Sequence, residues 1–184
     1  SLEELLKEVE KVIRDVKREL EKVVRDIEEN VRRSAKRLRE AEEEVERINR
    51  RLEEELKKKT TREEIKELVR KLIEDSRRSL EKARRDIAEN EKRNKESLDR
   101  AKRTVEKLLE DLERLLREVE KVARNNRDLT ELLKRVRDLI RRIRETLEKL
   151  LKENHDLSKR SKEDVERLLK ENADLVKELT DRAE

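Results

Sequence analysis

The sequence predicts an all-α protein, an elongated up-down-up three-helix bundle with coiled-coil-like packing. The chain of 184 residues contains neither Gly nor Pro, the two residues that cost most inside a helix. Apolar residues recur every three or four positions, which is the spacing of one helix face. Capping residues interrupt this pattern near residues 60 and 127. We therefore expect one helical-bundle domain, 1–184, with helices at about 2–59, 62–124 and 129–183.

The first two predicted helices each begin with a capping box, in which a Ser or Thr side chain accepts a backbone amide and a Glu reaches back. Ser1 with Glu4 starts the first helix, and Thr61 with Glu64 starts the second. Three consecutive lysines, 57–59, precede the second box, where cations favour the C-terminus of a helix. The pattern places a turn near residues 59–61.

The second break is the segment "RNNRDLTE", residues 124–131. Asn tolerates the left-handed conformation that ends many helices, and Asp128 with Glu131 resembles a third cap. A fourth candidate break is "SKRSKED", residues 158–164, with Ser161 as its cap. The apolar spacing continues through it without resetting, which favours a continuous helix over a loop.

Each predicted helix carries polar residues on or beside its apolar face near its midpoint. Because short connections make neighbouring helices antiparallel, a turn near 60 places Asn30 opposite Asn90, and a turn near 127 places Asn94 level with about residue 160. A buried polar group without a partner costs about 1–3 kcal/mol. Only the register that pairs these polar groups would avoid that cost. The alternative is that water partly solvates them, in which case they merely weaken the middle of the bundle. The predicted structural polar layer comprises Asn30, Ser34, Asn90, Asn94, Ser97, Asn154, Ser158 and Ser161.

Two further features follow from the same spacing. Ser76 and Asn172 fall at similar levels and could form a lesser second layer. Apolar residues are denser in 2–27, 98–123 and 129–157 than in the remaining parts of the three helices. We therefore expect the dense segments to form the more stable half.

The chemistry of the chain argues against a catalytic, metal or cofactor site. His155 is the only histidine; Asp156 points about 100° away from it on a helix and cannot orient the imidazole. No carboxylate or second His lies three or four residues from His155, so no metal-binding pair forms. Phosphate-binding glycine motifs are impossible without Gly. We expect no enzyme activity, no catalytic residues and no cofactor, with His155 at the edge of the polar layer.

Charge and composition also limit the classes of partner. The 54 basic and 50 acidic residues are interspersed along the chain, which is typical of a solvated helix surface rather than a basic nucleic-acid patch. The most basic segment, residues 134–144, is interrupted by Val136, Ile140 and other core-type residues. The chain lacks Cys and any long apolar run. The expectation is a soluble protein with no signal peptide, no nucleic-acid partner and no membrane span.

Glycine-free capped helices with Asn and Ser at "NVRRS", "NEKRNKES" and "NHDLSKRS" resemble de novo designed helical bundles with hydrogen-bond networks. Such designs often carry Gly or Pro in loops and Gln in networks, and this chain has none of these. Spectrin-like repeats share the topology but usually contain aromatic residues, which are absent here. The resemblance implies a structural scaffold with no natural biochemical function and no required partner. The alternative is a designed self-associating or switchable module, a homo- or hetero-oligomer subunit or the receptor of a partner helix.

Overall fold

A computed structural model describes residues 1–183, except the side chains of Val176, Leu179, Thr180, Arg182 and Ala183. The last position of the predicted domain, 184, lies outside the described residues. Within the described chain the protein is all-α, with no strand, which confirms the predicted three-helix fold class. The helices are α1 (Leu2–Leu56), α2 (Arg62–Val122) and α3 (Arg127–Ala183).

The predicted caps of α1 and α2 are present. The Glu4 amide donates to Ser1 Oγ at 3.4 Å, and the Glu64 amide donates to Thr61 Oγ1 at 3.3 Å. α1 ends at Leu56 rather than at 59, because the amides of Lys58 and Lys59 bond to carbonyls three residues back. Such bonds tighten and close the last turn of a helix.

The turn before α3 differs from the sequence prediction. Asn126 caps α3, because its side-chain oxygen accepts the amides of Asp128 at 3.1 Å and Leu129 at 3.3 Å. The prediction of Asp128 as the cap is therefore wrong, and Asp128 instead places its charge in the first turn, where the helix dipole favours an anion. No described residue has a positive φ. Asn125 and Asn126 therefore do not take the left-handed conformation that Asn tolerates at the end of a helix.

α3 continues without interruption through residues 158–164, as the unbroken apolar spacing predicts. Ser161 lies inside the helix and caps nothing.

The chain divides into two compact units, and each contains one segment of every helix. The first unit comprises Ser1–Glu29 with Arg93–His155, and the second comprises Asn30–Lys92 with Asp156–Glu184.

In the first unit, apolar residues from all three helices form one core cluster. Val16, Leu109 and Ile140 are representative buried members. α2 and α3 are antiparallel here: as α3 advances from Arg137 to Arg144, its ion-pair partner on α2 moves back from Glu120 to Glu113. Leu2, Leu5, Leu151 and other partly buried residues extend the cluster.

In the second unit, the described core residues fall into smaller clusters. One is built around Leu52, Val69 and Leu72, and another around Ala41 and Leu80. The helices are again antiparallel, since Arg37 of α1 pairs with Asp86 of α2 at 2.8 Å while the earlier Asn30 contacts the later Asn90. The smaller clusters are consistent with the lower apolar density of these segments.

Candidate functional site

In the second unit, α2 contacts α1 through an asparagine on each helix. Asn90 Nδ2 donates to Asn30 Oδ1 at 2.8 Å and to Ser34 Oγ at 3.2 Å. The two hydrogens of one amide can satisfy both acceptors. Asn30 and Ser34 are buried and Asn90 is half-buried, so a lost bond would not be replaced easily by water.

In the first unit, α2 contacts α3 through a second pair of asparagines. Asn94 Nδ2 donates to Asn154 Oδ1 at 2.7 Å, and each residue is only 7% exposed. Asn94 lies one helical turn after Asn90 on α2. α2 therefore supplies one amide to each neighbouring helix, and each pair lies within one unit.

The remaining predicted polar residues are placed differently. Ser97 Oγ donates to Asp26 Oδ2 at 3.1 Å, so its partner is a carboxylate of α1 rather than an amide. Ser158 and Ser161 are half-buried, and neither hydroxyl has a hydrogen bond in the part of the chain that the structure describes. Six of the eight residues of the predicted polar layer therefore make the contacts given above. That all eight form one layer and fix the register of the helices stays a prediction.

The positions beside the asparagines include two charged residues that sequence reasoning did not select. Asp26 lies three residues after the buried Val23 and four before Asn30, and Glu91 lies four after the buried Ile87. These spacings place both on a buried face, so the periodicity contained a usable signal. The charge of each side chain, however, predicts a position that faces solvent, and this outweighed the spacing in the sequence-based prediction.

Glu91 is the most unusual ionisable group among the described residues. It is 8% exposed, and neither carboxylate oxygen has a hydrogen-bond partner. Burial raises the pKa of this carboxyl, and the Lys162 ammonium, 3.7 Å from Oε2, lowers it by a smaller amount. The net direction is upward, because the attraction of one exposed lysine offsets only part of the lost hydration.

Ser76 and Asn172 do not pair with each other. Ser76 Oγ donates to the Leu72 carbonyl of its own helix at 3.2 Å. Asn172 is buried, and its Oδ1 has no hydrogen-bond partner. The expected second layer is therefore wrong, because a hydroxyl satisfied within its own turn has no need of a partner on another helix.

His155 is exposed, and it makes no side-chain hydrogen bond among residues 1–183. Its predicted place at the edge of the polar layer is therefore wrong. In the same described region, no group of three His, Cys, Asp or Glu side chains is arranged to hold a metal ion.

The basic segment 134–144 is partly neutralised by ion pairs. Arg137 and Arg144 each approach a carboxylate of α2 at 2.7 Å, on Glu120 and Glu113 respectively. Arg141 lies 4.0 Å from Asp138 on its own helix.

In the described part of the chain, no helix has both the length and the hydropathy needed to cross a membrane.

Comparisons with known proteins give a likeness among solved structures. No family model matches the chain, and no curated protein matches it. A solved structure described as "Computationally designed three helix bundle" is similar over 99% of this chain and 88% of its own length, with 21% identity and a TM-score of 0.39. The fold is established by the three helices described above.

Proposed function

We propose that the chain is a designed structural scaffold without catalytic activity, in which buried polar contacts specify the register of the helices. The proposal is supported by the residue choice, which omits Gly, Pro, Met and all aromatic residues in favour of helix formers. Designers choose residues in this way to keep helices regular and cores well specified.

The observation that carries the proposal is the pair of asparagine contacts made by α2. An apolar seam with a seven-residue repeat packs almost equally well when one helix slides by a heptad. The same slide separates Asn90 from Asn30, or Asn94 from Asn154. Each separated pair leaves two amides unpaired, at about 1–3 kcal/mol for each buried one. The polar contacts therefore disfavour registers that hydrophobic burial alone would tolerate.

The second candidate is a self-associating or switchable interaction module. Val122 and Leu132 favour it, because they are 60% and 41% exposed on either side of the α2–α3 turn. Isolated exposed apolar residues are common on monomers, so this observation supports the module less strongly than the asparagine contacts support the scaffold.

Solution mass separates the two candidates. Light scattering coupled to size exclusion should give a mass near 22.4 kDa for the scaffold, independent of concentration, whereas a defined multiple would support the module. Replacing both Asn90 and Asn94 by Leu should keep the helical circular dichroism but produce more than one mass or register. A unique mass and register in that variant would show that the amides do not specify the assembly.

A further inference from the structure

A groove of about 780 Å³ runs between α2 and α3 of the second unit. Val69 and Ile73 of α2 and Leu169 of α3 form much of its apolar lining. On α2 the lining residues extend from Lys66 to Arg84, which corresponds to about 27 Å of helix. A volume of this size lies within the range of small-molecule sites, which are mostly apolar with a few polar groups.

The charged residues along the groove leave an uncompensated positive charge. Its three carboxylates are already paired: Arg77 binds Glu74 and Glu81, and Arg84 approaches Glu166 at 3.0 Å. The cations that remain have no ion pair within the described chain, and they are Lys66, Arg70 and Lys170. Lys66 and Arg70 are one turn apart on the same helix face, so an anionic group could approach both together.

The shape of the groove favours a slender occupant over a helix. Val69 and Ile73 line the groove but are only 5% and 6% exposed. A helix about 10 Å in diameter could not reach these residues unless α2 and α3 moved apart. An extended alkyl chain is narrower than a helix and needs less separation of α2 and α3 to reach them.

We propose that this groove binds a single-chain amphiphile with an anionic head group, such as a long-chain carboxylate. The head group pairs with Lys66 and Arg70, and the alkyl chain lies along Val69, Ile73 and Leu169. This site is independent of the proposed scaffold role, because it uses neither asparagine pair.

The chain-length dependence of binding tests the apolar part of the proposal. Octanoate, decanoate and dodecanoate are titrated into the protein by calorimetry, below their micelle concentrations. Each added CH₂ should strengthen binding about fourfold, so that each step of two carbons gives about 15-fold. Dodecyltrimethylammonium, which has the same chain with a cationic head, should bind more weakly than dodecanoate. Equal affinity for the series, or a preference for the cation, would overturn the proposal.

Matched variants test the position of the head group. The double variant Lys66→Glu/Arg70→Glu should weaken dodecanoate binding roughly tenfold, since it reverses two partly screened charges. The control Arg117→Glu/Lys121→Glu reverses an equally spaced exposed pair on α2 in the first unit and should leave the affinity unchanged. An equal loss in both variants would mean that net charge, and not this groove, attracts the ligand.

Methyl NMR locates the alkyl chain. Dodecanoate should shift the methyl signals of Val69, Ile73 and Leu169 at one equivalent, while those of Val105 stay in place. Many weak equivalents with loss of helical signal would show adventitious detergent binding and would overturn the site. The site would also be wrong if dodecanoate failed to bind while a three-heptad Leu/Glu amphipathic peptide shifted the same methyls, because the groove would then accept a helix.

Discussion

The hydrogen bond from Asn94 to Asn154 can be tested with a double-mutant cycle in which each residue is replaced by Leu. Both side chains are 7% exposed and the bond is 2.7 Å long, so water cannot readily satisfy an amide that loses its partner. Each single variant leaves one buried amide unpaired, at about 1–3 kcal/mol. The double variant removes both amides. It should therefore lose less stability than the two single variants added together, by at least about 2 kcal/mol, which is twice the smaller cost of one unpaired amide.

The assay is urea-induced unfolding followed by circular dichroism, since urea does not screen the many surface charges as a guanidinium salt would. The control cycle combines Asn94→Leu with Ser76→Ala, two positions that lie 18 residues apart in the sequence and in different units. Ser76 bonds to its own helix, so this cycle should be additive. A coupling below about 0.5 kcal/mol between Asn94 and Asn154 would refute the reasoning, because it would mean that neither amide depends on the other.

The remaining predictions concern charge, local stability and capping. Burial raises the pKa of Glu91, so the folded state binds more protons than the unfolded state above pH 4.5, and stability falls as pH rises through the folded pKa. Glu91→Gln should remove this slope and raise the free energy of unfolding at pH 7, because the neutral amide avoids burying a charge, whereas Glu96→Gln at an exposed position should do neither. Hydrogen exchange should be slower for amides of the first-unit core, such as Val105, than for those of the second unit, such as Val69; uniform protection would contradict this. Asn126→Ala should destabilise the protein by about 1 kcal/mol in urea unfolding through loss of the α3 cap, and an unchanged midpoint would show that another residue caps α3.

The helices were predictable because their signals are local and repeated. Apolar spacing and capping side chains act within a few residues, so three helices follow from the sequence. Asn30 and Asn90 could be matched by counting from the first turn, whose position was marked by the Thr61 cap. Asn94 was matched to about residue 160, but its partner is Asn154. The difference arises because α2 ends at Val122 rather than at 124 and α3 begins at Arg127 rather than at 129. Both shifts move the centre of the turn toward lower numbers.

The contacts made by flanking charged residues were less predictable. The bond between Ser97 and Asp26 and the burial of Glu91 depend on how far each helix rotates about its axis. That rotation is set by packing among three helices, and a single-helix pattern does not define it. Ser158 and Ser161 were misjudged for the same reason. Their spacing placed them on the apolar face, but neither hydroxyl has a hydrogen-bond partner in the described structure.

The most direct test of register specification is a distance measurement by electron paramagnetic resonance. The chain has no Cys, so spin labels can be placed uniquely at Glu113→Cys and Arg144→Cys, which replace a facing pair on α2 and α3. The parent should give one narrow distance distribution. The variant with Leu at positions 30, 90, 94 and 154 should remain helical but show a second population, displaced along the helix by about 10 Å, one heptad. A single unchanged distance in that variant would contradict the account, because hydrophobic packing alone would then fix the register.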